Sequence, residues 1–335
     1  MIDHSKENIC IVETEDGLHV ENTVLWLDSY HEGEFSFLSC LKKPAVKISS
    51  KVLATEETIQ LISCFQAQTN ALVCPYNKPF SLGKLTMELL PSGSFLGAAS
   101  LFIETNNQTI LYAPALQMQK IPSLRSAQLK RSDILVLNAY YPVSSHMMMN
   151  TKNRNQEKKR LLVRIKQSLK QGLAPIVCCK SFEIAQELSC EISREGLDFV
   201  VKKDLFKMSQ IYKKYGIDLA PKLYSKDKVT DNQIILLCEN KVKLSQYRRR
   251  HDQSVFIIED GGDPLPFRKA MDPHIEKFYI PRFSEFSAIR DLVESVQPED
   301  LYFFGDYSSE YVRQLQGLVP RVRILPGPQP SLFLS

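Results

Sequence analysis

Histidine, cysteine and the acidic residues hold metal ions and activate water, and here their spacing is wrong for that work. The six histidines, His4, His19, His31, His146, His251 and His274, include no pair at ligand spacing. The eight cysteines contain no C-x-x-C, only the adjacent Cys178-Cys179, which excludes a zinc ribbon. Most lie in apolar runs such as Leu72-Val73-Cys74, Ile176-Val177-Cys178 and Leu236-Leu237-Cys238, the setting of buried free thiols and of a reducing compartment. Asp260-Gly261-Gly262-Asp263 reads as a turn, and His146-Met147-Met148-Met149 as loop packing.

Positive charge is the other chemistry on offer. Lys152, Arg154, Lys158, Lys159, Arg160, Arg164, Lys166 and Lys170 crowd one stretch, with Glu157 as the sole acid among them. Tyr247-Arg248-Arg249-Arg250-His251 is a compact basic cluster beside an aromatic ring. Both suit contact with a phosphate backbone, and the ring suits stacking on a base. The alternative is a solvated helix face whose long stems lie along the surface. Overall charge does not decide between them. The formal net charge is only +4, from 42 Lys and Arg against 38 Asp and Glu, so a nucleic-acid surface must be a local patch.

The elements that would position these residues change type along the chain. Thr23–Asp28, Phe35–Ser39, Val46–Ile48, Leu85–Leu90, Ser100–Glu104 and Thr109–Tyr112 read as short strands bounded by turn chemistry. Ile134-Leu135-Val136-Leu137 is a buried strand. From Glu157 the apolar period becomes helical, with Leu161, Leu162, Ile165 and Leu169 on one stripe. A strand at Ala174–Cys179 and a helix from Ser181 follow, then buried strands at Ile234–Cys238 and Val255–Glu259. A helix over Ser284–Val296, with Ser284 as its N-cap, precedes a strand at Leu301–Phe304. Strands first and alternating units later imply a sandwich-type α/β domain interrupted by a parallel α/β insert. The polar tract Asn150–Lys159 is the linker candidate.

One stretch carries a family likeness. Leu89-Leu90-Pro91-Ser92-Gly93-Ser94-Phe95-Leu96-Gly97-Ala98-Ala99-Ser100 resembles the "L-P-A-G-H-x-L-G-S-A" loop of metallo-β-lactamase/β-CASP nucleases, of the DNA-ligase-associated exonuclease kind. In that family the His binds zinc; here the position is Ser94. Pro75-Tyr76-Asn77-Lys78-Pro79-Phe80 resembles the edge upstream of that loop. Phe35 to Ala45 occupies the slot of H-x-H-x-D-H, which puts Cys40, Lys42, Pro44 and Ala45 at its ligand and base positions. Ile110-Leu111-Tyr112-Ala113-Pro114-Ala115 stands for "V-x-S-G-D", with Ala115 at the bridging acid. Asp133 to Tyr141 resembles "D-V-L-V-x-E-S-T-Y", with Asn138 at the acid. Ser284 to Ala288 stands for "S-D-H-A-D", with Phe286 at the His, and Leu301 to Tyr307 for a strand ending in "T-H-G-Y", with Gly305 at the His. Val177 to Gln186 resembles the insert's "A-Y-S-L-G-K-A-Q" turn, with Ile184 at the Lys. Asp28 alone keeps the expected residue, an acid that orients the metal loop in the family.

The likeness implies an α/β fold: a metallo-β-lactamase αββα sandwich over 1–150 and 262–335, with a β-CASP-like α/β insert over 151–261. It also implies zinc, but these residues cannot hold it. A two-zinc hydrolase needs about three to four N or O ligands per metal, and only Cys40 could serve. The expected function is therefore a catalytically silent relative of nucleic-acid exonucleases, without cofactor, acting as a binding or scaffolding subunit in DNA or RNA processing. Its expected partners are nucleic acid, through Lys158, Lys159, Arg160, Arg164, Arg248, Arg249 and Arg250, and an active homologue or other DNA-processing protein. Two alternatives stand beside it. One is a divergent hydrolase with a displaced metal site, or with metal-free chemistry from a Cys/Lys or Ser/Lys pair among Cys40, Lys42 and Ser94. The other is a protein–protein module. The amino terminus lacks a basic-then-apolar signal pattern, and no apolar stretch approaches the ~18 residues of a membrane span; the expected location is cytoplasmic.

Overall fold

The computed structural model describes residues 10–41, 49–65, 70–138, 154–239, 242–248, 252–260, 272–282, 286–304, 313 and 315–325; for 286, 287 and 289 it describes the backbone alone. The protein is mixed α/β, and its described residues form three sheets. It divides into two compact units, Met1–Tyr140 with Phe283–Ser335, and Tyr141–Arg282. Among the described residues no helix is long and apolar enough to cross a membrane.

The first unit opens with six strands that form a sheet in sequence order. These are β1 (Ile11–Thr14), β2 (Gly17–Val20), β3 (Leu25–Leu27), β4 (Phe35–Phe37), β5 (Lys51–Ala54) and β6 (Asn70–Val73). The first three form an antiparallel meander and β3 to β6 run parallel. A parallel step needs a crossover, and α1 (Glu56–Ser63) supplies it between β5 and β6. Thr55 caps α1, its side chain accepting from the Thr58 N–H. Then come β7 (Phe80–Leu82), β8 (Leu85–Pro91), β9 (Ala99–Glu104), β10 (Thr109–Ala113) and β11 (Ile134–Asn138).

The second unit starts at α2 (Arg154–Lys170), whose apolar stripe buries Leu161, Leu162 and Ile165. The helix stops at Gly172, whose φ of +70° lets Leu173 N–H return to the Ser168 carbonyl at 3.1 Å. After it come β12 (Ile176–Cys179), α3 (Phe182–Arg194), β13 (Phe199–Val201), α4 (Lys203–Lys214), β14 (Lys222–Leu223), β15 (Ile234–Cys238), β16 (Val255–Glu259) and β17 (Ile275–Tyr279). They form an all-parallel sheet in the order β14-β13-β15-β12-β16-β17. Its central strands are apolar throughout, as burial on both faces requires.

The chain returns to the first unit with α5 (Phe286–Val296), β18 (Asp300–Phe304) and β19 (Arg321–Ile324). The last two strands complete a seven-stranded sheet, β19-β18-β11-β10-β9-β8-β7. Alternate residues of this sheet (Leu85, Met87, Leu89, Leu101, Ile103, Ile110, Tyr112, Val136) share one buried core with Leu18, Val20, Leu25, Leu27, Phe37 and Leu53 of the first sheet. The two sheets therefore pack face to face, each burying one side of its pleat.

One sequence expectation changes. The tract Asn150–Lys159 is no linker from Arg154 onward, because those residues form the first turns of α2. Polarity misled there: Arg154, Glu157 and Lys158 are buried, neutralised by ion pairing within the unit. Elements with short or polar sequences also went unforeseen, among them β1, β2, α1, β6, α4 and β17. The expected strand at Val46–Ile48 and the cap Ser284 lie outside the described residues.

Candidate functional site

Asp28 directly follows β3 with φ +53°, a left-handed conformation that Asp tolerates better than most residues. The turn aims its carboxylate back across the sandwich. Oδ1 accepts the Ser39 N–H at 2.9 Å and Oδ2 accepts the Tyr112 hydroxyl at 3.0 Å. Tyr112 is fully buried on β10, edge-on to Phe37 at 6.2 Å and stacked on Phe304 at 5.7 Å. Burial, and then the neighbouring Asp28 charge, push its phenol well above the usual tyrosine range. Asp28 thus ties the loop after β4 to the seven-stranded sheet.

Two more loops join at the same end of the sandwich. The Ser39 carbonyl accepts the Ala99 N–H at 2.7 Å, and the Ser92 carbonyl accepts the Gln117 N–H at 2.9 Å. Glycine is required twice. Gly93 has φ +78° and a Cβ there would lie 2.4 Å from the Gln117 carbonyl oxygen. Gly97 has φ +80° and a Cβ there would lie 2.5 Å from the Thr58 nitrogen. The Gly97 carbonyl in turn accepts the Thr55 and Thr58 hydroxyls at 2.7 and 2.9 Å, and Tyr76 donates to the Ala98 carbonyl at 3.0 Å. The loop is thereby locked onto the first turn of α1.

Cys40, Ser94 and Ala115 sit on these converging loops, only 6%, 4% and 7% exposed. Ser94 shares a hydrogen bond with Ser92 at 3.1 Å, and the Cys40 sulfur accepts the Ser39 hydroxyl at 3.8 Å. Asn138 ends β11, and its buried Oδ1 has no hydrogen-bond partner among the described residues. Phe286 is the first residue of α5; Lys42, Pro44, Ala45 and Gly305 lie outside the described residues. Zinc does not fit what is brought together: of these residues only Cys40 and Asp28 carry a good zinc-binding atom, and the Asp28 oxygens already accept from Ser39 and Tyr112. Among the described residues no group of three or more His, Cys, Asp or Glu could hold a metal ion. Tyr112 and Ser92 were missed as site residues. Both stood in the quoted blocks, Tyr112 in a β10 run that is apolar and buried from Ile110 to Ala113.

The basic residues of the second unit are largely engaged. Lys158 is 7% exposed, with its ammonium 2.7 Å from Glu187. Arg160 donates to Glu157 at 3.0 Å and to the Lys277 carbonyl at 2.9 Å, and its guanidinium lies 4.1 Å from the Phe278 ring centroid. Arg164 binds Glu276 at 2.7 Å on the wall of an open cavity of about 330 Å³ that Ser168, Asp252, Ser254 and His274 also line. Arg248 holds Asp272 at 2.6 Å, and this partner keeps the Asp272 carboxyl below its ordinary range. Lys159 is exposed. Arg249 and Arg250 lie outside the described residues.

Fold and site together define a mixed α/β protein: a two-sheet sandwich unit whose sequence is interrupted by a parallel-sheet unit. No family model matches the chain. Over 312 residues, 91% of its length, it is 19% identical to a protein of Opitutus terrae described as "Probable DNA ligase". The chain spans 30% of the length of that relative. Among solved structures, a protein of unknown function from Enterococcus faecalis V583 is similar at TM-score 0.56 and 12% identity, over 88% of this chain and 80% of that one.

Proposed function

We propose that this chain is a metal-free relative of the metallo-β-lactamase/β-CASP nucleases and serves DNA or RNA processing as a binding or scaffolding subunit. The observation that carries this reading is the chemistry of the loops converging on Asp28. Cys40, Ser94 and Ala115 are buried there, and Ser94 is hydrogen-bonded to Ser92. The described residues offer no ligand cluster to hold the metal that brings the pKa of a bound water from ~15.7 towards ~7. The ordered blocks of family likeness and the two-sheet sandwich with a parallel-sheet insert support it further. The name of the Opitutus terrae relative supports nucleic-acid processing as the setting.

The test has two parts, elemental mass spectrometry on the purified chain and salt-dependent binding to labelled single- and double-stranded DNA and RNA. Metal near zero, with binding that weakens steeply as salt rises, is the expected result. One or two tightly held ions per chain would overturn the metal-free reading. A second reading, a protein–protein module, is favoured by one observation: Lys158, Arg160, Arg164 and Arg248 already hold carboxylates of their own unit. Absence of binding at low salt would select it.

A further inference from the structure

From the last register pair of β12 and β15 we infer that Cys179 and Cys238 form an oxidative modification site, a dithiol that a hydroperoxide closes into a disulfide. The two residues are direct partners on adjacent parallel strands. The Glu239 N–H bonds the Cys179 carbonyl at 3.1 Å, so the strands remain paired to that point. Neighbouring strands lie ~4.8 Å apart, within the Cα separation of ~4.4–6.8 Å that a disulfide spans. Register partners put their side chains on the same face, whereas Cys178 turns the other way into a core with Ile176, Ile235 and Leu237. Neither thiol is already bridged; both are free cysteines.

The pair is asymmetric. Cys179 is fully buried, its sulfur 3.4 Å from the Leu237 carbonyl, while Cys238 is partly exposed at the end of its strand. An oxidant in solution therefore meets Cys238 first. The Cys238 thiolate attacks one peroxide oxygen; an S–O bond forms, the O–O bond breaks, and the departing hydroxide takes a proton to leave as water. The Cys179 sulfur then attacks the sulfenic sulfur. The S–S bond forms, the S–O bond breaks, and the hydroxyl leaves with the Cys179 proton as a second water. Two thiols lose two electrons and one hydroperoxide gains them. The hydrogen bond with Cys238, and then burial, hold the Cys179 thiol well above its ordinary range. It therefore waits as a thiol until its neighbour is oxidised. The exposed Cys10 and half-buried Cys64 have no described register partner of this kind.

The experiment uses the full, reduced chain carrying Cys10→Ser and Cys64→Ser, treated with hydrogen peroxide under native conditions. The expected result is loss of two titratable thiols and of two hydrogens in mass, with a linked peptide containing Cys179 and Cys238, all reversed by dithiothreitol. Cys238→Ser alters the partly exposed partner, so the chain should still fold; its Cys179 should then stay reduced and no linked peptide should form. Two outcomes would overturn the inference. One is Cys238 driven to sulfinic acid while Cys179 remains unlinked. The other is a Cys238→Ser protein that loses two thiols as fast as its parent.

Discussion

Arg154 and Glu187 form a two-pronged ion pair in the interior of the second unit. Nη1 meets Oε1 at 2.5 Å and Nη2 meets Oε2, with the side chains only 3% and 2% exposed. The Arg154 Nε also donates to the Pro281 carbonyl at 2.8 Å. One guanidinium thus joins the first turn of α2, the middle of α3 and the last residues of the unit. Its planar fork of donors suits this three-way contact, which a lysine could not reproduce.

Removing one member of a buried pair leaves an uncompensated charge, at a cost of about 3–5 kcal/mol. Glu187 serves two cations, Arg154 and Lys158, so Glu187→Ala should reach the upper part of that range. The units can be followed separately in urea. Trp26, the only tryptophan, lies on β3 with its indole N–H on Glu34 at 2.6 Å, so its fluorescence reports the first unit. Far-ultraviolet dichroism reports the helices and strands of both units. Expected is a dichroism transition at lower urea with the Trp26 transition unmoved; no change in either would refute the assigned role.

Gly97→Ala tests the loop that closes the sandwich end. The new Cβ would collide with the Thr58 nitrogen at 2.5 Å, and φ is +80°. Gly196→Ala is the control, with φ +65° and nothing near the added carbon. Left-handed strain alone costs about 1–2 kcal/mol, which sets the control. Gly97→Ala should exceed it, and urea midpoints that rank the two variants the other way would contradict the packing described for that loop.

Alkaline pH should weaken the fold. Burial pushes the Cys74 thiol up to about 11 and the Cys178 thiol up to about 12, and it raises the Tyr76 and Tyr112 phenols. Each folded-state value lies above the unfolded one, so the native state holds its protons more tightly. The stabilisation is complete below the unfolded values, ~8.5 for Cys and ~10 for Tyr, and is lost as pH rises towards the folded ones. Urea midpoints measured between pH 8 and 11 should fall with pH, and Cys178→Ala should fall less steeply than the parent. A flat profile would mean that these groups are not shielded as described.

Salt dependence separates the two surface readings residue by residue. A lysine that contacts a phosphate contributes about one unit to the slope of log affinity against log salt. Lys159 is exposed, and Lys159→Ala should lower the slope by that amount. Arg164→Ala should leave it unchanged, because that guanidinium is held on Glu276. The opposite pattern, loss with Arg164 and none with Lys159, would show that the ion pair opens to bind.

Much was legible before any coordinates. Apolar runs marked β11, β15 and β16, the helical stripe of Leu161, Leu162 and Ile165 marked α2, and glycine chemistry marked the turn at Gly93 and Gly97, where φ is indeed positive. The mixed α/β class followed from strands giving way to alternating helices and strands, because periodicity is a local property that each segment carries within itself. Residue types also settled what Ser94 and Ala115 cannot do, since neither supplies a zinc ligand of the kind a two-metal site needs.

Pairings over long separations were beyond that reading. That Asp28 holds both Ser39 and Tyr112, that Arg154 is buried on Glu187, and that Cys179 meets Cys238 depend on which strands lie side by side. Burial and partner set the character of a charged or thiol side chain, and both are tertiary properties. The same lysine in α2 is a solvated charge at position 159 and a buried ion-pair member at 158, one residue and about 100° of helix apart.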